Sequence, residues 1–530
     1  MLHSLTCRGG MVSAPHHLAA QAGASVLRDG GNAVEAMVAA AAAIAVVYPH
    51  MNSIGGDGFW LIAEPGREPV AVRACGSAAG LATPGFYADH RETVIPTRGP
   101  RAALTVAGAI GGWAEALAAA APWGSALPLS RLLAEARAHA VAGVPVTRSQ
   151  VALTAAKWAE LASVSGFAAT FAPHGLPGLH DTLSQPRLAD TLEQLSRAGL
   201  DDFYRGDLAR GMATDLEAVG SPLRLADLQG YRAQRVAALS VDLSVGRVYN
   251  QPPPTQGVAS LAILGIFDRL GVTAGEGFDH LHGLVESTKR AFLWRNTHVC
   301  DPVAMATRGS DPLAFLGDAS LARQAARIDR TRAAPWPQIA QPGDTIWMGA
   351  ADAQGRVVSY IQSIYWEFGS GIVLQGSGVN WQNRGSSFTL TPGPNALAPG
   401  RQPFHTLNPA LARLKSGAVL AYGTMGGEGQ PQTQAAVFTR HALFGQNLQA
   451  AISAPRWLLG RTWGDDSTNL KLESRFDPTL IDALRRAGHE VQIVGDYDDM
   501  MGHAGAVKVH ADGVIEGATD PRADGICAGL

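Results

Sequence analysis

Cysteine is scarce in this sequence and poorly placed for a structural role: Cys7, Cys75, Cys300 and Cys527 are widely scattered and form no Cys-x-x-Cys pair. That spacing excludes a zinc ribbon and a disulfide framework, and it points to a cytoplasmic setting. An excess of one charge is missing as well. The 42 Lys and Arg residues stand against 45 Asp and Glu, a net charge of −3, with no basic run and no arginine interleaved with aromatics. Nucleic acid and anionic membrane surfaces are thereby excluded as partners. No apolar run reaches the ~18 clean residues that a membrane span needs. The richest window, "AVEAMVAAAAAIAVVYP" at 33–49, carries Glu35 and reads as a buried helix. The opening "MLHSLTCRGGMVSAPHH" has neither the basic stretch nor the apolar core of a secretory leader, so export is not expected.

What is present is a chain of 530 residues, long enough to bury a large core. Gly30-Gly31 separates two helices, one over 18–28 and an Ala-rich one capped by Asn32. "NSIGGDGFWLIAE" is a glycine loop feeding a short strand at 58–63. Without Lys-Ser/Thr after the glycines it is no phosphate loop, and it reads as tight backbone packing. A mostly helical stretch follows, then strands in "AALSVDLSVGRVYNQPPPTQG" closed by a proline cluster, then two more helices. After Thr345 the texture changes to strands and tight turns. "TIWMGAADAQGRVVSYIQS" is a hairpin turning at Asp352–Gly355, and "HAGAVKVHADGVIEGATDPRADG" is a second.

Common catalytic patterns fail one by one. Ser287 and Lys289 in "ESTKR" miss the Ser-x-x-Lys spacing, because position 290 is Arg290. There is no Gly-x-Ser-x-Gly elbow and no His-Glu-x-x-His helix, and His16-His17 reads as a helix entry. No cofactor and no metal is implied. One pattern remains, the strand headed by Thr345 behind the proline-dotted "RAAPWPQIAQPGD". A threonine that follows a removable segment can use its hydroxyl as nucleophile and its own freed α-amine as base. Threonine at a strand start is equally explained by β-propensity.

The rest of the chain bears on that choice. "GMVSAPHHLAAQAGASVLRDGGNAVEAMVAAA", "IGGDGFW", "YNQPPPTQGVASLAIL", "DTIWMGAADAQGRVVS", "FGSGIV", "GTMGGEGQPQTQ" and "GATDPRADG" together resemble the gamma-glutamyltransferase family of N-terminal-nucleophile hydrolases, over nearly all of its length. The resemblance implies an α/β fold, a four-layer αββα sandwich, made as a precursor and cut between Asp344 and Thr345. The large piece is then 1–344 and the small piece 345–530, the two associating as a heterodimer that forms one body. It implies Thr345 as nucleophile, Gly426 and Gly427 as backbone donors to the oxyanion, and Ser363 as a hydroxyl that supports the nucleophile.

Departures from the family pattern bear on the substrate, a small-molecule amide. Family transferases hold a glutamyl α-carboxylate with an arginine, matched by Arg73, and with two serines that here read His405-Thr406. They hold the α-ammonium with three residues that here read Tyr365, Arg384 and Ser387. A cation stands where a cation used to be bound. Arg73 and Arg384 together would favour carboxylate and repel an amine, while Ile346 and Trp347 after the cut would narrow the pocket. The sequence resembles the family branch that hydrolyses oxamate in purine catabolism. The alternatives are a gamma-glutamyl hydrolase or transferase, a cephalosporin-type acylase, and an inert binding protein on the same fold.

Overall fold

The computed structural model describes residues 3–124, 126–336, 344–460 and 468–530. Its helical layer starts as the sequence dictates. Helix α1 (His17–Arg28) is capped by His16, whose ring accepts the Leu18 N–H, and Gly30 and Gly31 break the chain before α2 (Ala33–Val47). Asn32 and Glu35 form a reciprocal capping box, Asn32 accepting from the N–H groups of Val34 and Glu35 while Glu35 accepts from that of Asn32. The second oxygen of Glu35 takes the Leu127 N–H at 2.8 Å, which explains a buried carboxylate in an alanine helix. Three more helices matter below: α3 (Gly257–Asp268), α4 (Phe278–His298) and α5 (Gln430–Phe438).

Two seven-stranded sheets make the body. In spatial order the first runs Ile526–Gly529, Gly10–Ala14, Asp344–Asp352, Val357–Tyr365, Asp57–Ala63, Val70–Ala74, Gln234–Ala237. Four of its strands carry the site: β1 (Asp57–Ala63), β2 (Val70–Ala74), β3 (Asp344–Asp352) and β4 (Val357–Tyr365). The second sheet runs Leu5–Cys7, Ile515–Thr519, Ala504–Val509, Val419–Thr424 (β5), Ala410–Leu414, Gly246–Asn250, Leu239–Leu243. The hairpin expected from Thr345 onward is β3–β4, and Asp352 shapes its turn by accepting the N–H groups of Gln354 and Arg356.

Strand alternation sorts side chains into four layers. On β3, Ile346, Met348 and Ala350 join the helices α1 and α2, while Trp347 and Ala351 face the other sheet. Trp60 and Ile62 of β1 likewise face helices, whereas Phe59 and Leu61 face inward. In the second sheet Leu420 and Tyr422 face the helices, Tyr422 lying against Phe438 of α5, and Ala421 faces inward. The result is helix, sheet, sheet, helix. It also corrects the expectation that Ile346 narrows the substrate pocket. Ile346 packs in the helix-facing layer, and Trp347 fills the space between the sheets, its indole N–H donating to Ser359 Oγ at 2.9 Å.

Trp347 fits there because the strands around it carry glycine. A Cβ added at Gly349, Gly423 or Gly505 would overlap its indole. Gly423→Ala should therefore force a fully packed ring to shift and cost about 1–3 kcal/mol. A thermal melt of the variant beside wild type checks this, and an unmoved midpoint would contradict the packing.

Candidate active site

One end of the sandwich gathers the candidate residues. Asp344 pairs with Tyr365 and Ile346 with Gln362, so Thr345 alone faces two residues, Ser363 and Ile364, at a β-bulge. Ser363 in turn pairs with Asp57 of β1, and the pairing of Gly58 with Ala74 puts Cys75 next in line. Thr345, Ser363, Asp57 and Cys75 thus form a row across neighbouring strands about 4.8 Å apart. Alternation gives them the inward face shared by Trp347, Ile361 and Phe59.

Thr345 is fully buried, and its hydroxyl accepts from Gln430 Nε2 at 3.3 Å, from the first residue of α5. Ser363 Oγ accepts the Tyr365 N–H at 2.8 Å. From the second sheet, β5 ends at Thr424 and runs into Gly426 and Gly427, at φ 110° and 52°. Only glycine takes those dihedrals without strain. One amide clamps this turn to the His405-Thr406 segment: Gln256 Nε2 donates to the carbonyl of Thr406 at 2.7 Å and to that of Gly427 at 2.8 Å. Arg295 fixes the clamp, donating to Gln256 Oε1 at 2.8 Å while pairing with buried Glu428.

Arg384 and Tyr365 form the other wall. Tyr365 adopts φ 84°, a strained backbone for a tyrosine. Its ring lies 3.7 Å under the guanidinium carbon of Arg384. Arg384 is fully buried. Its Nη1 donates to Thr406 Oγ1 at 3.3 Å, and its Nε and Nη2 have no hydrogen-bond partner among the described residues. Burial lowers its pKa to about 10, which leaves it charged at neutral pH. Ser387 holds the neighbouring loop by donating to the Phe404 carbonyl at 3.2 Å. Arg73 has a different setting, because it donates to the Pro253 carbonyl at 3.2 Å and to the Gln234 side chain. Arg73 has both terminal nitrogens on protein acceptors and leaves only Nε without one, whereas Arg384 leaves the adjacent Nε and Nη2 without a partner among the described residues.

Asp57 escaped the sequence reading, which took "IGGDGFW" as close packing. The packing is real: a Cβ at Gly55 or Gly56 would overlap the carbonyls of Asn380 and Ser363. Asp57 nevertheless sits fully buried among the site residues and faces His405 Nε2 at 2.9 Å. Burial pushes its carboxyl up to about 7 against the pull of Arg384 and its N–H donors. Burial, then the charge of Arg384, holds His405 well below the ordinary imidazole value. Gln256, Arg295 and Gln430 were missed too. An uncharged amide in a helix cap carries no signal of its own, although Gln256 lies in the quoted "YNQPPPTQG".

Metal-type side chains meet once among the described residues, where His282, Glu286 and His489 offer ligand atoms within 4.8 Å of one another. Each already has a protein partner. His282 and His489 are hydrogen-bonded at 2.8 Å, and Glu286 pairs with the Lys289 ammonium at 2.7 Å. Among the described residues no helix is long and apolar enough to cross a membrane.

Known proteins resemble this chain along its length. The gamma-glutamyltranspeptidase family profile matches residues 19–530. An oxamate amidohydrolase proenzyme of Klebsiella pneumoniae is 53% identical over 98% of both chains. A glutathione hydrolase-like proenzyme of Bacillus subtilis is 39% identical, again over 98% of each. The crystal structure of a cephalosporin acylase from Bacillus halodurans superposes with a TM-score of 0.90 at 32% identity, covering 100% of this chain and 97% of that one. Four layers, a matching profile and relatives aligned end to end lead to one conclusion: the chain belongs to the gamma-glutamyltranspeptidase family, within the N-terminal-nucleophile hydrolase fold, and is an enzyme that hydrolyses amide bonds.

Proposed function

We propose that the chain is cut between Asp344 and Thr345 and that the new N-terminal threonine hydrolyses a small amide bearing a carboxylate and no ammonium, with oxamate as the best candidate. The observation that carries the substrate class is Arg384, a buried guanidinium whose Nε and Nη2 lie on one side and have no protein acceptor among the described residues. That pair of N–H groups matches the two oxygens of a carboxylate. A γ-glutamyl donor would bring an ammonium toward the same charge. The name of the Klebsiella relative supports the same substrate.

In this reading the Thr345 hydroxyl attacks the Asp344 carbonyl, the acyl group moves from N to O, and water hydrolyses the ester to free the amine. Both sheets hold strands from each side of the cut, with β3 inserted between Gly10–Ala14 and β4. The two pieces therefore stay interleaved as a heterodimer. In turnover the hydroxyl attacks the amide carbon while the α-amine takes its proton. The N–H groups of Gly426 and Gly427 receive the oxyanion, one such donor being worth about 10²–10³ in rate. Ammonia leaves with the proton, and water, activated by the same amine, releases the acid. Oxamate and water thus give oxalate and ammonium.

Ammonia release from a panel of oxamate, malonamate, oxamide, glutamine and glutathione tests the substrate class. Oxamate should lead. Turnover of glutamine or glutathione with oxamate silent would overturn it. Water should also be the sole acceptor, because Tyr365 and Arg384 leave no seat for an amine beside the acyl-enzyme. Glycylglycine added at steady state should leave the rate of acyl release unchanged, and a stimulated rate with a new peptide product would contradict a hydrolase.

A further inference from the structure

We propose that Asp57 and His405 form a proton-holding pair whose imidazole Nδ1–H donates to the substrate carboxylate beside Arg384, which makes carboxylate recognition depend on one buried proton. The inference rests on the carboxylate-bearing amide proposed above. Its geometry is specific to one oxygen. Asp57 Oδ1 accepts the Gly76 N–H at 3.3 Å, the Gly108 N–H at 3.0 Å and Gln382 Nε2 at 3.2 Å. Oδ2 faces only His405 Nε2 among the described residues, at 2.9 Å. The far nitrogen, His405 Nδ1, is buried and has no partner among the described residues. The ring is held by the edge of Phe59, 4.8 Å between centroids, and its backbone is fixed by the His405 N–H donating to the Pro254 carbonyl and the His405 carbonyl accepting the Gln256 N–H. The next residue, Thr406, accepts from Arg384, and the guanidinium is near enough for its charge to act on the imidazole.

The state of the pair sets what Nδ1 can do. With Asp57 ionised, Nε2–H donates to Oδ2 and Nδ1 presents a lone pair, which repels an anion. With a proton on Oδ2, that oxygen donates to Nε2 and Nδ1 carries the hydrogen. Burial raises Asp57 to about 7 and holds His405 well below its usual value, so the second form exists below about pH 7 and is lost above it. The groups around the pair do not obscure this. Cys75, Tyr204, Tyr231 and Tyr360 are all pushed far upward by burial and stay neutral. The charge facing it is Arg384, lowered by burial to about 10 and still cationic in this range. By reciprocity a bound carboxylate raises the pair's proton affinity as much as the proton raises carboxylate affinity.

KM for oxamate should then rise by up to about tenfold per pH unit above the pair's titration. kcat should follow the opposite limb, growing as the Thr345 amine loses its proton. Asp57→Asn is the decisive variant: its Oδ1 can keep the three donors, and its Nδ2–H can donate to Nε2, locking Nδ1 as a donor. It should flatten KM against pH while the kcat profile keeps its shape. An Asp57→Asn KM that still tracks wild type overturns the pair. If Asp57→Asn fails to fold, the ¹⁵N shifts of His405 in the ligand-free wild-type enzyme decide, because the two ring nitrogens should exchange protonated and unprotonated character between pH 5.5 and 8.5 (on the order of 1.5 units either side of the midpoint). Nitrogens that keep their roles overturn it. A wild type that hydrolyses no carboxylate-bearing amide sinks the proposed substrate instead, and the same ¹⁵N measurement then judges the pair alone.

Discussion

Thr345→Ala is expected to migrate as a single 55.3 kDa chain on a denaturing gel and to release no ammonia from any amide. Wild type should give pieces of 344 and 186 residues, since 530 − 344 = 186, the smaller beginning with Thr345. Two separate losses are combined in this variant. Without the hydroxyl nothing attacks the Asp344 carbonyl, so the α-amine stays locked in a peptide bond. Without either group, turnover lacks both nucleophile and base, and losses of about 10⁶ in rate are usual when a nucleophile alone is removed. The structure bears on why alanine should be tolerated by the fold. Thr345 is fully buried in a bulge that faces Ser363 and Ile364, and its hydroxyl meets Gln430. Alanine removes a bond about 1 kcal/mol in net worth without adding bulk, so the precursor should melt cooperatively and near wild type. Thr345→Ser keeps hydroxyl and amine and should retain both activities in part. Two bands from Thr345→Ala would end the mechanism.

Much of the frame was legible because it rests on local chemistry. The break at Gly30-Gly31, the Asn32 cap, the turn at Asp352 and the strand from Thr345 each follow from one or two residues and their neighbours. The substrate wall was legible only in part. Arg384 stood out as a cation at a position where the resembled family binds an ammonium, but nothing in the string tells that Arg73 donates to Pro253 and Gln234, partners more than 150 residues away. Ile346 was misplaced because adjacent residues on a strand point to opposite faces, so it cannot share the inward face of Thr345 and Trp347. Asp57 was hidden by its glycines. Its meaning comes from His405, which reaches it from 348 residues along the chain.

Arg384→Gln is expected to lower kcat/KM for oxamate by about 10–150-fold, the equivalent of one charge-assisted hydrogen-bonding group worth roughly 1.5–3 kcal/mol. The same variant should leave turnover of a neutral amide such as oxamide within a few-fold of wild type, because that substrate offers no carboxylate for Nε and Nη2 to hold. Processing before Thr345 should survive, since self-cleavage uses no substrate carboxylate. Stability supplies an independent reading. Arg384 is fully buried, stacked on Tyr365, and has no ion pair within 4 Å among the described residues, so the free enzyme carries a desolvated cation that Asp57 offsets in part and a bound anion would offset further. A neutral glutamine removes that cost, and the thermal midpoint of the ligand-free variant should hold or rise. Arg384→Lys keeps the charge but loses the planar fork, so it should fall between wild type and glutamine on oxamate. If Arg384→Gln instead melts several degrees lower, or loses oxamate and oxamide turnover alike, the guanidinium serves the fold. The substrate would then have to be sought among amides without a carboxylate.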